Sequence, residues 1–295
     1  MTKTKTEYLV EHYERNRHPM DKAVRCNDID FVKNNLDITD DQVLYYAVRD
    51  GNTEIFEYAF PLFSLDSQRK ALWIIGSKGR LDYLDFVLKY ITVDINDHRP
   101  HELACRSGHL EMVKRLESLG IKKSENSFYY AFESNSLETI KHVYDESEDI
   151  SKCFIHQSHS MPLDVLKFIM SHTQLSEKNK SRILFGAAGA GFIDVIDYLL
   201  TLPEPPDSEG ILFETVYFGN QLPTMKHLLT KAPILSDIAE CDYDAFCWAY
   251  DKNYEDFVDY LVNVHHVTPE TSPEIFNTMQ LDNFALYKKV IKLPD

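Results

Sequence analysis

Hydrophobic residues along this chain recur in a fixed order, with a period of about 28 residues. Ten residues, six of them alanine, can be aligned as the reference position of ten successive repeats. The other positions of each repeat are counted from this residue. The reference residues are Ala23, Ala47, Ile75, Ala104, Ala131, Gln157, Ala187, Val216, Ala249 and Thr278.

Apolar residues keep fixed distances from the reference residue. The position nine residues after it is apolar in all ten repeats, and the positions twelve and thirteen residues after it are each apolar in nine. The position three residues before it is also apolar in nine. Spacings of three and four residues put these side chains on one side of a helix. Each repeat is therefore predicted to contain two amphipathic helices, one on each side of a break.

The break falls four residues after the reference, where nine of ten residues are Gly, Asn or Asp and only Met161 differs. These residue types tolerate the positive φ that ends a helix in a left-handed cap. Three residues later, eight of ten repeats carry Asp or Glu, which favours the first turn of a new helix. The pattern predicts a second helix that begins two or three residues after the break.

A helix–turn–helix unit of this kind cannot bury both faces alone, whereas stacked units can. The segment from Ala104 to Leu116 (ACRSGHLEMVKRL), with Pro100 upstream, resembles the ankyrin repeat, and the resemblance covers roughly residues 20–292. It implies an all-α, ankyrin-like solenoid of about ten stacked helix–turn–helix repeats. The Thr-Pro-Leu-His phrase of that family is absent and the period is shorter than its usual 33 residues, so we expect little or no β structure.

The continuous repeat predicts one solenoid domain over residues 18–295, preceded by a capping segment at residues 1–17. The sequence has no apolar run long enough to cross a membrane and no signal-peptide pattern. Its five scattered cysteines fit a reducing compartment. We therefore expect a cytoplasmic protein, or one acting in a host cytoplasm, because similar divergent ankyrin arrays occur in large DNA viruses and intracellular bacteria.

The formal net charge of −16 argues against nucleic acid as a partner, because phosphate contacts require a basic surface. Many of the acids fall in predicted first helical turns, where the helix dipole accounts for them. The residues show no catalytic or cofactor-binding motif, and we predict no catalytic, cofactor or metal site. The Gly-rich stretch at 186–191 lies on a predicted helix and turn, with no preceding strand.

Two clusters of chemically reactive residues have the residue types of a site but lack a complete set of groups. Cys153, His156 and His159 have a helical spacing that suits a metal, but a fourth ligand is not evident. Cys105 and His101 could form a nucleophile pair, but no third group that would orient them is visible. Surface histidines and ordinary helix packing explain both clusters more simply.

Candidate binding residues lie at the end of the first helix of each repeat, two or three residues after the reference. The ankyrin resemblance implies that this position faces a concave groove. One interpretation is a row of cations that binds an acidic peptide or acidic protein surface, with Phe218 as an apolar anchor. The other is that the cations only stabilise helix C-termini. The residues are Arg25, Arg49, Lys78, Arg106 and Phe218.

The sequence thus favours a non-catalytic protein–protein interaction scaffold that works as a monomer and binds its partner on the concave face. An alternative is an effector or enzyme-like protein with a site in the irregular region 145–185. A third possibility is a structural spacer with no preferred binding face.

Overall fold

The structure is a computed structural model, and it describes the chain in several ranges. The chain divides into two compact units, Met1–Glu148 and Asp149–Asp295, which we call the N-terminal and C-terminal units. The described residues are mostly helical and contain no strand, which confirms the all-α prediction for this part of the chain. The described residues are 18–146, 148, 150, 153, 161–208, 211–218, 221–230, 248–249, 252 and 254–263.

In the N-terminal unit the described helices form pairs, one pair per repeat. The helices are α1 (Pro19–Arg25) and α2 (Ile29–Asn35), α3 (Gln42–Asp50) and α4 (Thr53–Ala59), α5 (Leu65–Lys78) and α6 (Leu81–Val87), α7 (Arg99–Arg106) and α8 (Leu110–Ser118), and α9 (Ser127–Glu133) and α10 (Leu137–Val143). A 3₁₀ turn at Phe60–Leu62 follows α4.

The described part of the C-terminal unit has the same organisation. Its helices are α11 (Leu163–His172), α12 (Glu177–Ala190) paired with α13 (Ile193–Leu200), α14 (Ile211–Tyr217) paired with α15 (Leu222–Thr230), and α16 (Glu255–Asn263). Within the described ranges, no helix is both long enough and apolar enough to cross a bilayer.

In six helix pairs the turn has the left-handed conformation that its Gly or Asn predicts, and the turn between α14 and α15 lies outside the described residues. In the turn at Asn135 the amide of Ser136 donates to the Ser134 hydroxyl oxygen, whereas in the other five turns the amide five residues after the reference donates back to the reference carbonyl, for example from His109 to Ala104 at 3.0 Å. This is the long hydrogen bond of a Schellman cap, and it leaves the chain aimed into the second helix. The positive-φ residues of these turns are Asn27 (55°), Gly51 (77°), Gly79 (62°), Gly108 (71°), Asn135 (56°) and Gly191 (81°).

The second helix of each described pair begins two residues after this turn, which confirms the prediction. Acids occupy its first turn in every described pair except α14–α15, as Glu111 does in α8. The apolar stripes are buried: the side chains nine residues after the reference are fully buried from Val32 to Met225, and Val258 is half-buried. The reference residues are also buried, as the close approach of helices requires, namely Ala23, Ala47, Ile75, Ala104, Ala131, Ala187, Val216 and Ala249.

First helices pack on first helices and second helices on second helices. In the N-terminal unit, α1, α3, α5, α7 and α9 each contact the next, α2 contacts α4, and α8 contacts α10. In the C-terminal unit, α12 contacts α14 and α11 contacts α13. Each repeat therefore buries its apolar faces against the neighbouring repeat.

A recurring contact between second helices, which we call the outer seam, joins the residue ten positions after one reference to the residue eleven positions after the next. The residue types change from repeat to repeat, but the register does not. Five junctions between successive repeats, in both units, therefore have the same register. The outer-seam contacts are Lys33 Nζ to the Tyr58 ring centroid (5.5 Å), Asp85 to Arg115 (3.1 Å), Lys167 Nζ to the Tyr198 centroid (5.4 Å), Asp197 to His227 (2.7 Å) and Lys226 Nζ to the Tyr260 centroid (4.7 Å).

Two sequence predictions are not tested by this structure. The proposed capping segment at residues 1–17 lies outside the described residues. The prediction that residues 18–295 form one solenoid domain stays a prediction.

Candidate functional site

The four predicted cations of the N-terminal unit lie at the C-terminal ends of α1, α3, α5 and α7, and each of these helices contacts the next. We call Arg25, Arg49, Lys78 and Arg106 the cation row. Their surroundings differ. Arg25 and Lys78 are exposed, whereas Arg49 is half-buried. Only part of the row is therefore available to a partner.

Arg49 is held by acids of its own chain. Its guanidinium donates to both carboxylate oxygens of Asp50, with Nε–Oδ1 at 2.7 Å, and also pairs with Asp21 on α1. The hydrogen bond to Asp50 is the main reason why the pKa of Arg49 is raised. The guanidinium also lies 5.2 Å from the ring centroid of Tyr46 and 5.7 Å from that of Tyr45. Arg49 thus orients two tyrosines and links repeats one and two.

Arg106 is more open. Its side chain is 57% exposed, and its Nε lies 2.8 Å from Oε2 of Glu133 on α9. The guanidinium also lies 6.0 Å from the centroid of Tyr130. The contact bridges repeats four and five, while more than half of the Arg106 side chain stays exposed.

Aromatic side chains beside these cations were missed by the sequence reasoning. They occupy the two positions just before the reference residue, one helical turn from the cations and on the same side of the first helix. Tyr45 is 41% exposed and the others are half-buried. The signal was present in the sequence, since neighbouring repeats carry Tyr or Trp there. We call these residues the aromatic row, and together with the cation row the first-helix face: Tyr45, Tyr46, Trp73, Tyr129 and Tyr130.

Phe218 belongs to the C-terminal unit and is 55% exposed, as expected. Its ring contacts Tyr217 edge-on, with centroids 4.8 Å apart, and its Cβ covers the backbone of Gly189. Tyr217 in turn contacts Trp248, with centroids 4.8 Å apart. Phe218 is thus the outermost member of an aromatic cluster.

A buried polar group in repeat four was also missed. His101 is fully buried on α7, and its Nε2 lies 3.1 Å from Oε1 of Glu117 on α8. Its Nδ1 lies 3.2 Å from the hydroxyl of Ser127 on α9. The other carboxylate oxygen of Glu117 lies 2.7 Å from Nε2 of His142 on α10. One carboxylate therefore joins two imidazoles across two repeats.

Cys105 and His101, considered above as a nucleophile pair, are indeed neighbours, with Sγ 3.7 Å from Nδ1. Burial raises the pKa of the Cys105 thiol to about 12, which keeps it protonated near neutral pH. Both side chains are fully buried. The arrangement suits packing rather than attack on a substrate.

The other cluster considered above, Cys153 with His156 and His159, cannot be assembled, because the two histidines lie outside the described residues. Within the described ranges, no group of three or more His, Cys, Asp or Glu side chains is placed to hold a metal ion. Much of the irregular region, including 154–160, is likewise not described.

Comparison with protein-family models, curated proteins and solved structures finds no significant match to this chain. Its function must therefore be inferred from its own geometry.

Proposed function

We propose that the protein is a non-catalytic, monomeric scaffold that binds another protein through the first-helix face of an ankyrin-like solenoid. The outer seam supports the solenoid, because the same two positions meet at several junctions between successive repeats. Repeats that stack with a constant rotation and translation form a superhelix. Cys26, Cys105 and Cys153 are not joined in disulfides, which fits the reducing intracellular setting expected from the sequence.

The observation that carries the binding proposal is the composition of the first-helix face. Arginine, tyrosine and tryptophan lie together on consecutive helices, and these residue types dominate the binding energy of protein interfaces. Arg49 is bonded to acids and packed against rings, so Tyr45 and Tyr46 are ordered before a partner arrives. Such pre-organisation reduces the entropy lost on binding.

The exposed cations indicate the partner's chemistry. Lys78 and Arg106 point to an acidic segment, because guanidinium and ammonium groups at an interface attract carboxylates and speed association. Arg49 is a poor choice for testing the attraction of an acidic partner. Replacing it by an acid would add a third carboxylate beside those of Asp21 and Asp50.

Peptides selected from a random library on the full-length chain provide the test. For a selected acidic peptide, we expect Lys78→Glu/Arg106→Glu to raise the Kd about tenfold or more and to weaken its dependence on salt. Fluorescence anisotropy at several salt concentrations measures both. Circular dichroism confirms that the variant is folded.

The matched control is Lys114→Glu/Lys141→Glu, which changes the net charge equally. Those lysines lie on the second helices α8 and α10, each beside an acid of its own helix. The control should bind like wild type. Equal losses of affinity in both variants would mean that only the net charge matters. If neither variant lost affinity, the first-helix face would not be the binding site.

A further inference from the structure

The interface between repeats four and five contains a buried group that can take up a proton. We call His101, Cys105, Glu117, Ser127 and His142 the repeat 4–5 seam. They come from α7, α8, α9 and α10, so the seam joins both helices of one repeat to both helices of the next. His101 lies three residues before the reference of repeat four, and Glu117 lies thirteen residues after it. The other nine repeats have an apolar residue at each of these two positions.

Neutral His101 satisfies this environment. With its proton on Nε2, it donates to Glu117 and accepts at Nδ1 from the Ser127 hydroxyl. The Ser127 oxygen also accepts the amide of Ser124, at 2.9 Å. A second proton on Nδ1 would make that nitrogen a donor, so the Ser127 hydroxyl would lose its hydrogen bond to the ring and would have to turn its hydrogen elsewhere. The fully buried ring would also carry a charge.

The charged and titratable groups around His101 can be named helix by helix. Glu102 and Cys105 are on α7 itself, Glu117 on α8 and His142 on α10. From α9, the contact is the uncharged Ser127. The helix on the other side, α5, keeps its charged side chains exposed. Glu117 is thus the acid bonded directly to the buried ring.

The direction of the pH effect follows from this environment. Burial lowers the pKa of His101 below its ordinary value of 6.5, despite the opposing effect of Glu117. Burial alone would raise the pKa of Glu117, but its hydrogen bonds with His142 and His101 leave it lowered. A group whose folded pKa is lowered contributes stability above its unfolded pKa and loses it as the pH falls. For His101 the loss therefore begins near pH 6.5.

We propose that the repeat 4–5 seam is a proton-operated switch, closed at neutral pH and opened at mildly acidic pH by protonation of His101, while the C-terminal unit stays folded. Opening separates α7 and α8 from α9 and α10 and exposes Cys105. The described cysteines report this event independently, because Cys26 is exposed, Cys105 lies in the seam and Cys153 is buried in the C-terminal unit.

The full-length protein is treated with 4,4′-dithiodipyridine, which reacts with thiols in acid, and each cysteine is followed by peptide mass spectrometry. Rates are compared at about pH 7.5 and about pH 5.5, on either side of the ordinary imidazole pKa. Relative to Cys26, Cys105 should react faster at the lower pH, by up to about tenfold, while the relative rate of Cys153 stays constant.

The variant His101→Leu/Glu117→Leu restores the apolar pattern of the other repeats and should remove the acceleration at Cys105. Its melting curve at neutral pH shows whether it folds. Parallel acceleration of Cys105 and Cys153 would mean general unfolding and overturn the proposal. The proposal would also be overturned if the rate at Cys105 relative to Cys26 did not change with pH. It would be overturned as well if Cys105 in the folded double variant were accelerated as much as in the wild type.

Discussion

Replacing Gly76 by alanine is expected to lower the free energy of unfolding by about 2 kcal/mol. Within a helix, as here in the last turn of α5, alanine would normally stabilise by up to about 1 kcal/mol. Here α5 meets α7 so closely that an added Cβ would lie 2.4 Å from the carbonyl oxygen of Pro100 and 3.1 Å from its Cα. Those atoms belong to the backbone, so the two helices must separate.

Urea unfolding followed by circular dichroism measures this effect. Ser77→Ala is the matched control, because it makes a small change at the next, half-exposed position of the same helix. The control should be neutral or slightly stabilising. If Gly76→Ala proved as stable as wild type, the close contact of α5 with α7 would be wrong.

Replacing Gly108 by valine is expected to cost about 2 kcal/mol. Gly108 ends α7 with φ at 71°, a conformation that a β-branched residue resists. A Cβ there would also lie 3.0 Å from Cβ of Ser136, at the equivalent turn of the next repeat. The substitution thus strains one turn and disturbs its contact with the next.

Ser107→Val provides the comparison, since it introduces the same side chain one residue earlier, at an exposed position with φ at −92°. Thermal melting of both variants should show a clear loss of stability only for Gly108→Val. Equal melting temperatures would contradict the left-handed turn.

The turns and stripes could be predicted from sequence because they express local rules. A positive φ favours Gly or Asn at the residue that adopts it. Gly51 and Asn135 therefore predict their turns independently of the rest of the chain. Burial of Phe56 or Leu84 follows from helical spacing alone. Each of these patterns is weak in a single repeat, but its recurrence over ten repeats makes the prediction firm.

The site was harder to predict because its partners are distant in sequence. Asp21, which pairs with Arg49, lies 28 residues before it. The spacing of residues within one helix cannot predict a pair that is 28 residues apart, so the sequence alone suggests that Arg49 is available to a partner. His101 and Glu117 are different: both were polar exceptions in apolar positions of repeat four, and the structure pairs them. Two exceptions in one repeat are a signal that sequence reasoning can use.

Binding of a protein partner to the first-helix face can be detected by photo-crosslinking with a selected acidic peptide. A benzoylphenylalanine is placed in the full-length chain at Tyr45 or Tyr130 of the face, or at Tyr58 of the outer seam as a control. We predict efficient crosslinks from the first two positions and only background from the third. Crosslinks from Tyr58 at equal or higher yield would contradict the account.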